Sequence, residues 1–232
     1  MFIIYLYILL KVHLEMDINN ILKFAHTFES IASLEKEELP ENSDDLQVIL
    51  KNLQKLKTYT ARKKYAEKNL KHLSSGSSRI VYLTADKTIL KLAKNDRGIA
   101  QNKVESNPKM KSKYLNKILN YAPNHAWIQT TFLKKITEKQ FKKMTGIDFD
   151  DFGESIRFGL KEVSGSKDRE APDNFDEVAE SEVYKELVEV GKKFKLMPGD
   201  IARISSWGTK DGEPVLIDAG LTKDVFEEFY ES

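Results

Sequence analysis

The chain contains no cysteine, which excludes disulfides and thiolate metal sites and fits a reducing compartment. Histidine is sparse. His13, His26, His72 and His125 are scattered, and no two share the i, i+4 spacing that would hold zinc on one helix face. A zinc hydrolase is therefore not expected. An excess of charge of one sign is also lacking: 37 Lys and Arg against 36 Asp and Glu leave a net charge of +1. No global field points to nucleic acid or to a membrane surface. The apolar run at residues 2–10 falls well short of the about 20 residues that span a bilayer. It has no basic residue before it and no small-residue cleavage pattern after it. Lys11, His13 and Glu15 follow, and Met16 opens a more ordinary sequence. Residues 1–15 thus read as an upstream extension of the reading frame, ahead of a packed N-terminal element or a membrane anchor. The expectation is a soluble, cytoplasmic protein.

What is present suits a globular chain: 232 residues, 41% hydrophobic and 31% charged, enough for one or two compact domains with a real core. Asp17 reads as a helix cap, followed by Ile18, Ile21, Leu22, Ala25, Phe28, Ile31 and Ala32 at helical spacing. Residues 40–45, PENSDD, break that helix and start another. Residues 46–72 then read as one long helix. Leu46, Ile49, Leu50, Leu53, Leu56, Tyr59 and Tyr65 are available for packing, and Lys51, Lys55, Lys57, Arg62, Lys63, Lys64, Lys68 and Lys71 form a basic face. Such a stripe is usually a solvated face; contact with an acidic protein partner or with nucleic acid is the less expected alternative.

From Ser74 the pattern turns to strands. Residues 80–84 and 88–93 are β-rich runs joined through a tight hairpin at 85–87. A short helix over 98–106, a buried strand over 126–133 and helices over 137–145 and 149–161 follow. Asp148, Asp150 and Asp151 lack calcium-loop spacing and read as a helix start. Residues 163–176 read as a polar loop and 177–195 as an amphipathic helix. Loop, hairpin and a terminal helix complete the chain. Trp127 is expected in the core, and Trp207 as an anchor for the loop before it.

The residues that carry chemistry fall in two groups. In residues 73–82, LSSGSSRIVY, the small residues Ser75, Gly76, Ser77 and Ser78 between two strands would let backbone N–H groups close over phosphates. Lys91 follows in the next strand between Leu90 and Leu92. A lysine in an apolar strand must find an anion or reach water; a phosphate pair would satisfy it, with Glu105 on the next helix to orient it. Far downstream, Asp200 lies in PGDIARISSWG and Asp218 ends the apolar strand of VLIDAG. A carboxylate at such a strand end is placed to hold Mg²⁺ against nucleotide phosphates.

This order of motifs resembles the protein-kinase-like superfamily over about 150 residues. The segment at 73–82 looks like its glycine-rich loop, with Gly76 as the middle glycine and Ser74 and Arg79 where the outer two would stand. The resemblance implies that Lys91 contacts phosphate with Glu105 as its partner. It implies that Thr130 and Thr131 sit at the adenine-contacting hinge, that Asp200 is the catalytic-loop aspartate and that Asp218 holds the metal. The Gly-Asp style of 199–200 is closer to aminoglycoside and choline kinases than to protein kinases, and the chain is also similar to small kinase-like proteins encoded by phages, which would place it in the host cytoplasm. Ser205 and Ser206 stand where the family has a metal-binding asparagine; Ser205 would be a weak, neutral ligand. Twelve residues follow Gly220, which leaves no room for a peptide-binding segment of the usual kind.

The expected fold is α+β and protein-kinase-like. Residues 1–72 would form an N-terminal helical extension, 73–133 a small antiparallel sheet lobe with one helix, and 134–232 a reduced helical lobe. The expected function is ATP and Mg²⁺ binding with phosphoryl transfer to an unknown acceptor. Lys91 and Asp200 would be catalytic; Ser75, Gly76, Ser77, Ser78, Lys91, Glu105, Thr130 and Thr131 would bind the nucleotide; Asp218 and Ser205 would hold the metal. Two alternatives stay open: a non-catalytic kinase-like module that engages a protein through residues 46–72, and a nucleic-acid-binding protein that uses the same basic helix. The latter would lose affinity steeply with salt.

Overall fold

The computed structural model describes residues 45–166 and 168–231. They belong to the second of two contact units, residues 42–232; the helix expected over 18–32 and the extension at 1–15 lie outside the described residues. Helix α1 (Leu46–Lys55) starts where the Asp45 carboxylate accepts the Gln47 N–H at 2.7 Å, and it buries Ile49, Leu50 and Leu53. The single helix expected over 46–72 is in fact two. At Leu56 the chain is extended, and the Thr58 hydroxyl then caps α2 (Tyr59–Asn69) by accepting the Ala61 N–H at 3.2 Å. A threonine that satisfies free helical amides is a strong start signal, so the chain re-initiates there. Arg62, expected on the solvated basic face, is instead buried and donates to the Leu56 and Lys57 carbonyls at 2.9 and 3.2 Å. It closes the C-terminal end of α1.

The antiparallel sheet has the order β1-β2-β3-β5-β4, from β1 (Lys71–Ser75), β2 (Arg79–Leu83), β3 (Thr88–Ala93), β4 (Ile118–Tyr121) and β5 (Trp127–Thr131). β1 starts before Ser74, and β4 was not legible as a strand because its side chains are largely exposed and show no alternation. Helix α3 (Asp96–Glu105) follows β3 directly and is capped by Asn95, whose side chain accepts the Gly98 N–H at 3.1 Å. One face of β2, β3 and β5 packs Ile80, Tyr82, Leu90, Leu92 and Trp127 against α1 and α2, with Tyr59 and Tyr65 at its margin. Period-2 alternation turns Lys91 to the opposite face.

β5 is shorter than the run 126–133. The chain leaves the first sheet at Phe132 and Leu133 and enters a second, β6-β7-β8, from β6 (Lys134–Lys135), β7 (Trp207–Lys210) and β8 (Glu213–Leu216). The β7–β8 turn carries Asp211 and Gly212 at φ 52° and 85°, the geometry that an Asp-Gly pair favours in a two-residue hairpin. Helix α4 (Glu138–Thr145) has a reciprocal cap between Thr137 and Gln140. α5 (Phe149–Gly159) begins at Asp148 with Asp150 and Asp151 in its first turn, the helix start expected there. The helix expected to run to 161 stops at Gly159, and α6 (Lys161–Ser164) takes up the start of the expected loop. The helix expected over 177–195 is α7 (Phe175–Glu180) and α8 (Glu182–Phe194), because Ser181 breaks it and recaps the second part on the Tyr184 N–H. Asp200 sits in the short helix α9 (Pro198–Ile201), not in a loop, with Pro198 preset for the first helical position. α10 (Lys223–Tyr230) is the terminal helix.

The second core gathers these helices around Trp207, which is fully buried and packs edge-to-face on Phe141, Phe149 and Phe152. The architecture is mixed α+β, with a small antiparallel sheet followed by helices and a hairpin. Among the described residues no helix is long and apolar enough to cross a membrane.

Candidate active site

The β1–β2 turn is tight: the Gly76 N–H donates to the Arg79 carbonyl at 2.8 Å. Its carbonyls are tied down on the start of α3. The Lys94 N–H donates to Ser78 O at 2.8 Å, Lys94 Nζ to Gly76 O at 2.6 Å and Asn95 Nδ2 to Ser77 O at 3.4 Å. Ser78 is buried and donates its hydroxyl to Gln101 Oε1 at 2.6 Å, whereas Ser75, Gly76 and Ser77 are exposed. Only glycine fits at position 98, since a Cβ there would lie 2.2 Å from the Ser78 carbonyl oxygen.

Lys91 is brought together with Glu105 and Asp218. Its Nζ donates to Glu105 Oε2 at 2.7 Å, to the Ile217 carbonyl at 2.9 Å and to Asp218 Oδ1 at 3.4 Å. These three acceptors match the three N–H donors of an ammonium group. Gly220 lets the chain pass beneath α3, because a Cβ there would meet Glu105 Oε1 at 2.8 Å.

Arg79 is the residue that motif reading underestimated. Standing where an outer loop glycine was expected, it turns inward: Nη1 donates to Glu105 Oε1 and, at 3.3 Å, to Asn102 Oδ1, while Nη2 donates to Asp218 Oδ1. The hairpin register pairs Val81 with Lys91 and Arg79 with Ala93, so Arg79 and Lys91 share one sheet face. Strand alternation from Lys91 was the signal that points to it.

Asp200 lies within electrostatic reach of this cluster. The Trp207 indole N–H donates to the Ile201 carbonyl at 2.8 Å, and the Ile217 N–H donates to Ser206 O at 2.7 Å. The two bonds hold α9 and the turn at Ile204–Ser206 against the end of β8. Arg203 approaches Asp200 at 3.8 Å. Burial, and next the charge of Asp218, hold the Asp200 carboxyl above its ordinary range. Burial pushes Glu105 in the same direction, partly offset by Arg79 and Lys91. For Asp218, burial is outweighed by the charges of Arg79 and Lys91, which hold it well below the carboxylate range.

The remaining expected residues lie apart from this cluster. Thr130 is buried in β5, paired with Ile89 and Ile118. The Thr131 N–H donates to Lys117 O at 3.2 Å, and its carbonyl accepts from Asn116 Nδ2 at 3.0 Å. Ser205 is exposed. Clefts of about 470 and 550 Å³ lie elsewhere, against α8, and none of the candidate residues lines them.

Mg²⁺ is commonly held by one or two carboxylates and completed by substrate phosphates and water. Asp218 keeps 43% of its side chain exposed and Asp200 26%, and the two are close enough for one charge to shift the other. They fit one such ion. Among the described residues there is no group of three or more acidic or histidine side chains that would hold a metal without phosphates.

No family model matches this chain, and no curated protein matches it. Among solved structures it is similar to the streptomycin–ATP–APH(2″)-IIa ternary complex, with 13% identity over 72% of this chain and 73% of that one, at a TM-score of 0.31.

Proposed function

We propose that this chain is a kinase-like phosphotransferase that takes its phosphoryl group from ATP and delivers it to a hydroxyl acceptor. The observation that carries the reading is the buried Lys91–Glu105 pair at 2.7 Å, joined to the Ile217–Asp218 strand end with Asp200 beside it. Residues 73–133 and 134–232 form the two walls of the cleft in this reading. Lys91, oriented by Glu105, holds the phosphates, and the exposed turn Ser75, Gly76 and Ser77 covers them. Asp218 and Asp200 would hold Mg²⁺, which would neutralise phosphate charge there. Asp200, with its raised proton affinity, accepts the proton of the acceptor hydroxyl. The acceptor oxygen bonds to the γ-phosphorus, the bond from that phosphorus to the β,γ-bridging oxygen breaks, and ADP leaves.

A second reading is a nucleotide- or partner-binding module without transfer. Arg79 on Asp218 favours it, because a metal-binding carboxylate already carries a cation. Thermal-shift titration with ATP, with and without Mg²⁺, tests the first reading on the parent, Lys91→Ala and Asp218→Asn, alongside detection of ADP. A ligand bound only by the folded state raises its melting point by mass action. Mg-ATP should stabilise the parent and neither variant. No response across millimolar ATP would remove the nucleotide from the account; stabilisation without ADP in any acceptor mixture would favour the module.

A further inference from the structure

Arg79 is the buried cation of the cluster that the phosphotransfer reading leaves without a role. Lys91 and Arg79 are sealed beneath the surface, with 3% and 8% of their side chains exposed, whereas Asp218 keeps 43% and Asp200 26%. Asp218 is thus the more exposed partner of both buried cations. Two buried cations, Arg79 and Lys91, and the exposed Arg203 beside Asp200 stand against three carboxylates, Glu105, Asp218 and Asp200.

The guanidinium is built for an exchange of partners. Nη1 is fixed by Glu105 and Asn102 on α3, and Nη2 alone reaches Asp218. Arg79 opens β2 one residue after the exposed turn Ser75, Gly76 and Ser77. A planar fork can keep one carboxylate on one arm while the other takes a phosphate oxygen. We infer that Arg79 is a phosphate-binding residue held in reserve on Asp218, and that it passes to the nucleotide's phosphates when a divalent cation takes Asp218. This rests on the nucleotide reading above. It makes metal and nucleotide bind cooperatively, since each removes the partner that blocks the other.

The test uses the full chain, with Mn²⁺ as a paramagnetic probe of the metal site in the absence of nucleotide and Mg-ATP titrated separately by calorimetry. Arg79→Gln removes the competitor for Asp218 and a donor for phosphate. It should bind Mn²⁺ about tenfold more tightly than the parent and Mg-ATP about tenfold more weakly. Opposite signs are the signature; a purely structural role would weaken both. A fall in both affinities, or an unchanged Mn²⁺ affinity, overturns the proposal while Mg-ATP binding by the parent leaves the phosphotransfer reading intact. If the parent binds neither probe, both fail. Should Arg79→Gln not fold, Arg79→Lys decides: it keeps the charge on Asp218 but lacks the fork, so Mn²⁺ binding should match the parent and Mg-ATP should weaken. Undiminished Mg-ATP binding by that variant overturns the inference.

Discussion

Glu105 is the single carboxylate that both buried cations contact from α3, and Glu105→Gln isolates its charge while keeping its volume. The glutamine carbonyl can accept one hydrogen bond, but its amide places two donors where the second carboxylate oxygen met a cation. Arg79 and Lys91 would then share only Asp218, whose Oδ1 already serves both. Removing one partner of a buried ion pair costs about 3–5 kcal/mol. Because Asp218 remains, about 3 kcal/mol is the expected loss. For a chain of this size that lowers the melting midpoint by about 6–12 °C. Calorimetric melts at low and high salt provide the assay, since a buried pair is weakly screened and the shift should persist in both. Lys113→Ala, which breaks an exposed pair with Glu182, serves as the control and should leave the midpoint unchanged. A drop of less than about 2 °C for Glu105→Gln would refute the reasoning, because the cluster would then behave as a solvated surface pair.

Trp207→Phe keeps an aromatic ring among Phe141, Phe149 and Phe152 but leaves the Ile201 carbonyl without its 2.8 Å donor. The expected cost is about 1–3 kcal/mol, read as a lower urea midpoint, together with a fall in turnover as α9 and Asp200 loosen; an unchanged midpoint would mean that water replaces the indole. Asp200 gives a pH-dependent test. Its carboxyl is held above the ordinary range by burial and by Asp218, so the folded state binds that proton more readily than the unfolded chain. Stability from this group is therefore fullest below the carboxylate range and declines as pH rises through it. Asp200→Asn should raise the melting midpoint near pH 7 to 8 and abolish transfer, with the gain shrinking as pH falls toward about 4. A lower midpoint at pH 8 would contradict the assignment.

Local chemistry determined much of this protein. The hairpin of β2 and β3 follows from two β-rich runs and a short polar turn, and the β7–β8 hairpin from Asp211-Gly212, because strand propensity and turn type act over a few residues. The small residues at 75–78, Lys91 in an apolar strand and Asp218 at a strand end were legible for the same reason: each is anomalous in its own neighbourhood. Helix boundaries were less so. Thr58 and Ser181 each split a run whose apolar spacing is continuous, since a capping hydroxyl competes with a periodicity that cannot register it. Strand β4 gave no alternation to detect, because a largely exposed edge needs none. Tertiary structure alone decided how the charges pair. Arg62 looks like its lysine neighbours until the end of α1 supplies carbonyls for it. Arg79 is an ordinary strand-end arginine until α3 and the β8 end bring Glu105 and Asp218 to its two arms from 26 and 139 residues away. Burial makes those partners obligatory, because a guanidinium out of water must find carboxylates, and only the folded chain determines which ones are within reach.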